Sequence, residues 1–202
     1  MAGRTQPERE VGMQDQTLVA PPPEAEAPPL PGDLMMWILI ISELLVFGAG
    51  LAAMMAVRLS DPAGFAAAQD LLHRGAAGLN TLVLVTSGLL AALATRAAFE
   101  GRAARVRLLL AGAAALGLVF LIVKGSEFRD LASAGISTES HAFFTFYYLL
   151  TGFHAAHVAA GILLFAVVGW RCWPAGVEMA AAFWHMVDLV WVLILPVVYL
   201  LS

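Results

Sequence analysis

Residues 142–170 read AFFTFYYLLTGFHAAHVAAGILLFAVVGW, a continuous apolar run without Asp, Glu, Lys or Arg. Such a run exceeds the roughly 20 residues that an α-helix needs to cross a hydrocarbon core of about 30 Å. Similar runs recur along the chain, and the predicted spans are 34–57, 76–96, 106–124, 142–170 and 178–201. Because a backbone in lipid must satisfy its own hydrogen bonds, each run is predicted to be a helix. The sequence therefore predicts an all-α, polytopic membrane protein built as a five-transmembrane-helix bundle.

The composition excludes the main alternative classes. Of the 202 residues, 60% are hydrophobic and 13% are charged, and the charged share is about half that of an ordinary soluble domain. The net charge is −4, and the cations form no basic patch, which argues against nucleic-acid binding. The single cysteine, Cys172, excludes an internal disulfide and a cysteine-based zinc site.

The first 33 residues differ from the rest of the chain. They contain most of its prolines, including Pro21-Pro22-Pro23, and a dense set of charges. We expect residues 1–33 to be a disordered, proline-rich cytoplasmic tail and residues 34–202 to be the transmembrane domain. No apolar stretch precedes Leu34, so we expect no signal peptide, and Asp33 is the predicted N-cap of the first helix.

The distribution of Lys and Arg predicts the orientation. The tail side carries Arg4, Arg9, Arg96, Arg102, Arg105, Arg107 and Arg171, whereas the opposite side carries Arg58, Arg74, Lys124 and Arg129. The positive-inside rule then places the N-terminus in the cytoplasm and the C-terminus outside.

Ionisable residues inside the spans are the candidates for function. They are Glu43, His154, His157, His185 and Asp188. An acidic residue at a helix centre is costly in lipid, so we expect these side chains to face the bundle interior and one another. For Glu43 two interpretations stay open: a proton-exchanging or reactive carboxyl, and a hydrogen-bonded acid that joins two helices.

The histidines fall into two pairs with i, i+3 spacing. His154 and His157 share one face of the fourth span, which would suit a metal, with His185, Asp188 or Glu43 as further ligands. The alternative is that both rings bond to neighbouring helices. His185 and Asp188 are predicted to pair within the last span, which would reduce the desolvation cost of both. Asp188 also shares a helix face with Trp184 and Trp191, and two interpretations of that face stay open: a seam between helices, and a site that positions a partner or lipid. Glu127 and Glu178 lie at predicted span edges, where water is reachable.

Five motifs, each on its own predicted span and in order, resemble subunit III of the haem–copper oxidases. They are Ile41-Ser42-Glu43-Leu44-Leu45-Val46-Phe47, Leu79-Asn80-Thr81-Leu82-Val83-Leu84, Lys124-Gly125-Ser126-Glu127-Phe128, Thr151-Gly152-Phe153-His154 with His157-Val158, and Trp184-His185-Met186-Val187-Asp188-Leu189-Val190-Trp191 after Glu178. The resemblance covers residues 31–202. It extends to accessory proteins of nitric oxide reductase, which belong to the same family.

The resemblance implies a non-catalytic subunit in a bacterial inner membrane. Such a subunit binds no haem, copper or other metal itself. It packs against catalytic subunit I, which holds the haem and copper, in a complex that also contains subunit II. It stabilises subunit I, holds phospholipid and supports proton uptake. On this basis Glu43, His154, His157, Glu178, His185 and Asp188 correspond to the family's buried polar positions. Many members have seven helices and a lipid cleft, of which this chain would have the later five helices.

Two functions from other classes remain as alternatives. One is a stand-alone membrane enzyme with a metal held by His154, His157, His185 and Glu43. The other is a transporter or proton channel, although the sequence shows no inverted repeat or broken helix pair of the kind that transporters use.

Overall fold

The computed structural model describes residues 34–201, and that part of the chain is helical and contains no strand. The elements are α1 (Leu34–Ser60), α2 (Pro62–Gln69), α3 (Arg74–Phe99), α4 (Ala103–Ser133), α5 (Ala142–Arg171), α6 (Pro174–Leu195) and a π-helical turn (Pro196–Leu200). Within it, five helices are long and apolar enough to cross a membrane: α1, α3, α4, α5, and α6 with its π-turn. The predicted all-α class and five-span bundle are confirmed. The predicted tail, residues 1–33, and the predicted cap at Asp33 lie outside the described residues.

The spanning helices form a bundle with α1 at its edge. α3 packs against α4 and α6, α5 packs against α4 and α6, and α1 contacts α5 and α6. In the most apolar 18-residue stretch of α1 only 11% of the residues are buried in the bundle, whereas in that of the last span 50% are buried. Between α3 and α4 the chain reverses at Gly101, whose φ of 71° is in the left-handed region that glycine tolerates. The short connections make consecutive spanning helices antiparallel.

Small side chains allow α3 and α4 to approach closely. Ala91 and Ala113 are both fully buried, and the Ser87 hydroxyl donates to the Ala113 carbonyl at 2.8 Å. About two helical turns away, the Asn80 amide donates to the Phe120 carbonyl at 3.3 Å. Because lipid provides no hydrophobic drive between helices, such contacts and hydrogen bonds are what hold them together.

Three differences from the prediction exceed a few residues at a helix end or add an element. α4 continues to Ser133, whereas its span was predicted to end at Lys124, because the charges there were interpreted as a loop facing water. The loop after α1 contains a helix, α2, that was not predicted. α6 begins at Pro174 rather than at 178, because proline fits the first turn of a helix, where no backbone donor is needed.

Pro196 changes the last helix without ending it. The chain continues as a π-helical turn, Pro196–Leu200. One carbonyl of this turn, that of Val198, accepts a hydrogen bond at 2.9 Å from the buried amide of Gln69 on α2. The short helix therefore satisfies a carbonyl at the end of the last span.

Asp61 begins α2 and ties it to the start of α5. Its Oδ1 accepts from the Gly64 amide at 2.9 Å, and its Oδ2 lies 3.2 Å from Nε2 of His141. Because His141 Nδ1 accepts from the Phe143 amide, the neutral ring carries its proton on Nε2 and donates it to Asp61. The Gly64 amide, and secondly His141, lower the pKa of this carboxyl.

We expect Asp61→Ala to lower the thermal stability of the detergent-solubilised protein at neutral pH. A carboxyl with a lowered folded-state pKa stabilises the protein above its ordinary value of 3.8 and loses that effect as the pH falls through the lowered value. The difference in melting temperature between wild type and variant should therefore shrink below pH 3.8. Glu139→Gln, an exposed acid in the loop before α5, is the control. An unchanged difference at acidic pH would contradict the assignment.

Candidate functional site

Glu43 and His157 meet between α1 and α5, near the middle of both helices. Glu43 Oε2 lies 3.2 Å from His157 Nε2, and the two side chains are 21% and 15% exposed. The distance is that of an ion pair, although the two groups are not aligned as a hydrogen bond. The expectation that Glu43 faces another of these ionisable groups is confirmed for this pair.

The other nitrogen of His157 determines what the pair can do. Nδ1 lies 2.9 Å from the Phe153 carbonyl, and a carbonyl can only accept, so Nδ1 carries a proton. The neutral ring therefore presents the lone pair of Nε2 to Glu43. One proton can then sit on the carboxyl or on Nε2, and its transfer between them interconverts a neutral pair and an ion pair.

His154 is fully buried, one turn from His157 on α5. Neither of its ring nitrogens has a hydrogen-bond partner, so the expectation that this ring bonds to a neighbouring helix is wrong. Aromatic rings surround it instead: Trp191 stacks on it at 5.3 Å, and Phe120 meets it edge-on at 5.4 Å. The imidazole is therefore held by contacts with aromatic rings, each of which contributes a weak stabilisation.

His185 and Asp188 lie where α6 packs on α3. Both side chains approach Gly88 of α3, and a Cβ atom at that position would collide with the Asp188 carboxyl. Oδ1 of Asp188 has no hydrogen-bond partner, so the predicted intrahelical pairing with His185 is not formed. His185 is exposed on the outer surface rather than facing the interior. The helix is rotated about its axis so that Trp184 and Trp191 face the interior instead.

Glu178 completes the set of predicted residues. It is half-buried in the first turns of α6, seven residues before His185, which corresponds to about 10 Å along a helix. The six predicted residues therefore do not form one site. Between residues 34 and 201, no group of three or more His, Cys, Asp or Glu side chains is placed to hold a metal ion.

A second polar cluster, which the sequence analysis missed, joins α4, α5 and the π-turn. Lys124 Nζ donates at 2.6 Å to Glu127 Oε2 and at 2.6 Å to the Tyr199 hydroxyl, with the Tyr147 hydroxyl at 3.3 Å. The Tyr199 hydroxyl donates in turn to Glu127. Lys124 and Glu127 are 3% and 8% exposed, and the ring of Trp191 also lies 5.4 Å from the ammonium.

One sequence signal for this cluster existed. Lys124 and Glu127 have the i, i+3 spacing that pairs side chains on one helix face, and the run does continue helically through them. A single charge after an apolar run predicts the end of a span, whereas the two opposite charges taken as a pair are compatible with a continuing helix. The tyrosine partners come from distant segments, so no local pattern indicates them.

Comparison with known proteins identifies the family. The model of the cytochrome c oxidase subunit III family matches residues 33–202. The chain belongs to the cytochrome c oxidase subunit III family. The resemblance seen in the sequence motifs is thereby confirmed.

Individual relatives agree with this assignment. The chain is 31% identical to cytochrome c oxidase subunit 3 of Corynebacterium diphtheriae, over 82% of this chain and 86% of the relative. It is 29% identical to cytochrome c oxidase subunit 3 of Thermostichus vulcanus, over 84% and 87%. It is 27% identical to cytochrome bo(3) ubiquinol oxidase subunit 3 of Pseudomonas aeruginosa, over 82% and 83%. These relatives are oxidase subunits, so the nitric oxide reductase alternative is not favoured.

Membership of the subunit III family places the polar clusters in an accessory subunit of a haem–copper oxidase. The protein is a multi-pass membrane protein with five spanning helices.

Proposed function

We propose that this subunit stabilises the catalytic subunit of a haem–copper oxidase and supports proton delivery to it. In this assembly the chain packs against subunit I, which holds the haem and copper, and its other partners are subunit II and phospholipid. The chain itself contributes no catalytic group. The complex transfers electrons at the end of a respiratory chain.

The observation that carries the proton role is the Glu43–His157 pair. A carboxyl and an imidazole that lie 3.2 Å apart can exchange one proton. Ionisable groups in the hydrocarbon core cost free energy, and they are found there mainly where they pair with each other or serve a function. Both side chains are partly exposed at the loosely covered edge formed by α1. A proton that reaches this edge can therefore be held there and passed on.

We further propose a bacterial inner-membrane location with the N-terminus in the cytoplasm and the C-terminus outside. The end of the bundle where α1 begins carries five described arginines: Arg96, Arg102, Arg105, Arg107 and Arg171. At the opposite end Arg58, Arg74 and Arg129 are near the surface, since Lys124 is buried in its cluster. The excess of arginine supports a cytoplasmic position for the first end.

Purification in mild detergent tests the assembly role. A tagged chain expressed in its own organism should bring with it a catalytic subunit whose visible spectrum shows haem. Recovery of the chain without any haem-containing partner would refute the proposal. A spectrum with the haem set of a nitric oxide reductase would instead replace the oxidase as partner.

For Glu43→Gln we expect normal membrane insertion and assembly but slower proton uptake by the purified complex. Glutamine keeps the shape of the side chain, and no aligned hydrogen bond to His157 is lost, so the stability cost should stay below the roughly 0.6 kcal/mol of an average hydrogen bond between membrane helices. It cannot exchange a proton with His157. Proton uptake after a single turnover, measured with a pH dye, provides the test. Glu178→Gln is the matched control, and equal rates for both variants would exclude a special role for Glu43.

A further inference from the structure

The seam between α3 and α6 exposes ionisable groups at mid-membrane depth. His185 is exposed and Asp188 is half-buried beside it, about midway between Pro174 and Leu200, the ends of the last span. Around them the surface is apolar, with Leu189 and Val192 exposed on α6 and Val85 and Leu89 exposed on α3. We call these six residues the α3–α6 surface.

The chain does not satisfy these groups itself. Within the described residues Asp188 has no hydrogen-bond partner: Oδ1 is enclosed and unpaired, and Oδ2, the oxygen open to a donor from outside, lies against Gly88, which has no side chain to donate. The hydroxyls of α3 that are nearest to Gly88 in the sequence are already engaged, because Ser87 donates to the Ala113 carbonyl and Thr86 donates to the Leu82 carbonyl. A carboxyl and an imidazole that face hydrocarbon without partners are costly at this depth.

Other outward faces of the bundle lack this feature. At comparable depth the large exposed residues of α4 are Leu118, Val119 and Ile122, and those of α5 include Phe153 and Leu163. Such faces are compatible with lipid tails. The α3–α6 surface is therefore covered less well by a bilayer than the outward faces of α4 and α5.

We propose that a transmembrane helix of another oxidase subunit docks on the α3–α6 surface and donates a hydrogen bond to Asp188. This inference rests on the proposed function, because it assumes that the chain assembles with oxidase subunits. The partner helix carries a hydroxyl, amide, indole or cationic side chain at mid-membrane depth. Its apolar residues cover Leu189 and Leu89 on the two sides of the seam.

The chemistry of the surface argues against the other occupants. Lipid tails contain no hydrogen-bond donors, and a lipid headgroup stays at the interface, far from Asp188. A second copy of this chain related by rotation about the membrane normal would bring residues of equal depth together. Asp188 would then face the same carboxyl, which is unfavourable in a low-dielectric environment. A different chain with a donor has neither problem.

Photocrosslinking in the intact complex tests the proposal. A photoreactive amino acid replaces Leu189 in the full-length chain, and the matched control replaces Val119 on α4. The two residues have similar exposure, 47% and 43%, and similar distances along their helices from the same end of the bundle. After illumination of membranes, the probe at Leu189 should label another oxidase subunit, and the probe at Val119 should not.

A pair of variants provides the second readout. Asp188→Leu should lower the amount of co-purified catalytic subunit about three- to tenfold, the range expected from loss of one hydrogen bond between membrane helices. Asp188→Asn keeps an acceptor oxygen and should retain most of the complex. Melting of the isolated variants checks that the bundle remains folded.

The outcomes separate this inference from the proposed function. If the catalytic subunit co-purifies but Leu189 labels only lipid or a second copy, or only Val119 labels it, the docking surface is wrong and the accessory role stands. Equal recovery with Asp188→Leu and wild type also overturns the docking surface. If no oxidase subunit co-purifies with the wild-type chain, both the function and the surface are refuted.

Discussion

Replacing Lys124 by methionine is expected to lower the free energy of unfolding by about 3–5 kcal/mol. Methionine nearly matches the length of the lysine stem but removes the ammonium that lies 2.6 Å from Glu127. The carboxylate would remain 8% exposed and without its cation, and an uncompensated buried charge is strongly destabilising. The Tyr199 hydroxyl would lose its donor as well, which loosens the π-turn. Denaturation of the purified protein in mixed micelles measures the loss.

An exposed ion pair of the same length provides the control for Lys124. Arg74 and Asp70 are also 2.6 Å apart, but their side chains are 41% and 69% exposed. Arg74→Met should therefore cost at most about 1 kcal/mol. The double variant Lys124→Met with Glu127→Gln should regain much of the loss, because no charge is then left alone. A single Lys124 variant as mild as Arg74→Met would contradict the assigned burial.

Gly161→Ala is expected to destabilise the bundle by about 1–3 kcal/mol, although alanine usually stabilises a helix by about 0.5–1 kcal/mol relative to glycine. A Cβ atom at Gly161 would lie 2.5 Å from Cε3 of Trp184. The indole cannot move away, because its opposite edge faces Gly117, where a Cβ atom would lie 2.6 Å from Cη2. Trp184 is fully buried between α4 and α5, so the added methyl group must distort the packing.

Gly152 on the same helix is the matched control for Gly161. A Cβ atom there would meet nothing within 4 Å, so Gly152→Ala should have the opposite sign and stabilise the protein. Each variant adds one methyl group to the same helix, α5, at a different position. Their free energies of unfolding, measured in the same detergent, can therefore be compared directly. Stabilisation by both would show that Trp184 is not fixed between the glycines.

The candidate site shows where reasoning from sequence succeeds. Placing Glu43 and His157 inside the membrane required only the lengths of the apolar runs around them. The cost of an isolated charge in lipid then led to the expectation that they face protein, which their 3.2 Å approach confirms. The same reasoning failed for His185, which faces outward. The cost of exposing an ionisable group to lipid predicts that protein covers it, but does not say whether that protein is the same chain or another one.

The sequence by itself determined the five spanning helices and the family. Both follow from local properties, since a long apolar run in lipid must form a helix to satisfy its backbone, and the motifs lie within single helices. Only the tertiary structure decided which polar side chains meet: Lys124 with Tyr199, Glu43 with His157, and Asp188 with the surface of α3. These contacts depend on how each helix is rotated and packed, which is set by close fits such as Trp184 between Gly117 and Gly161. Such fits join residues far apart in the chain, and no local pattern records them.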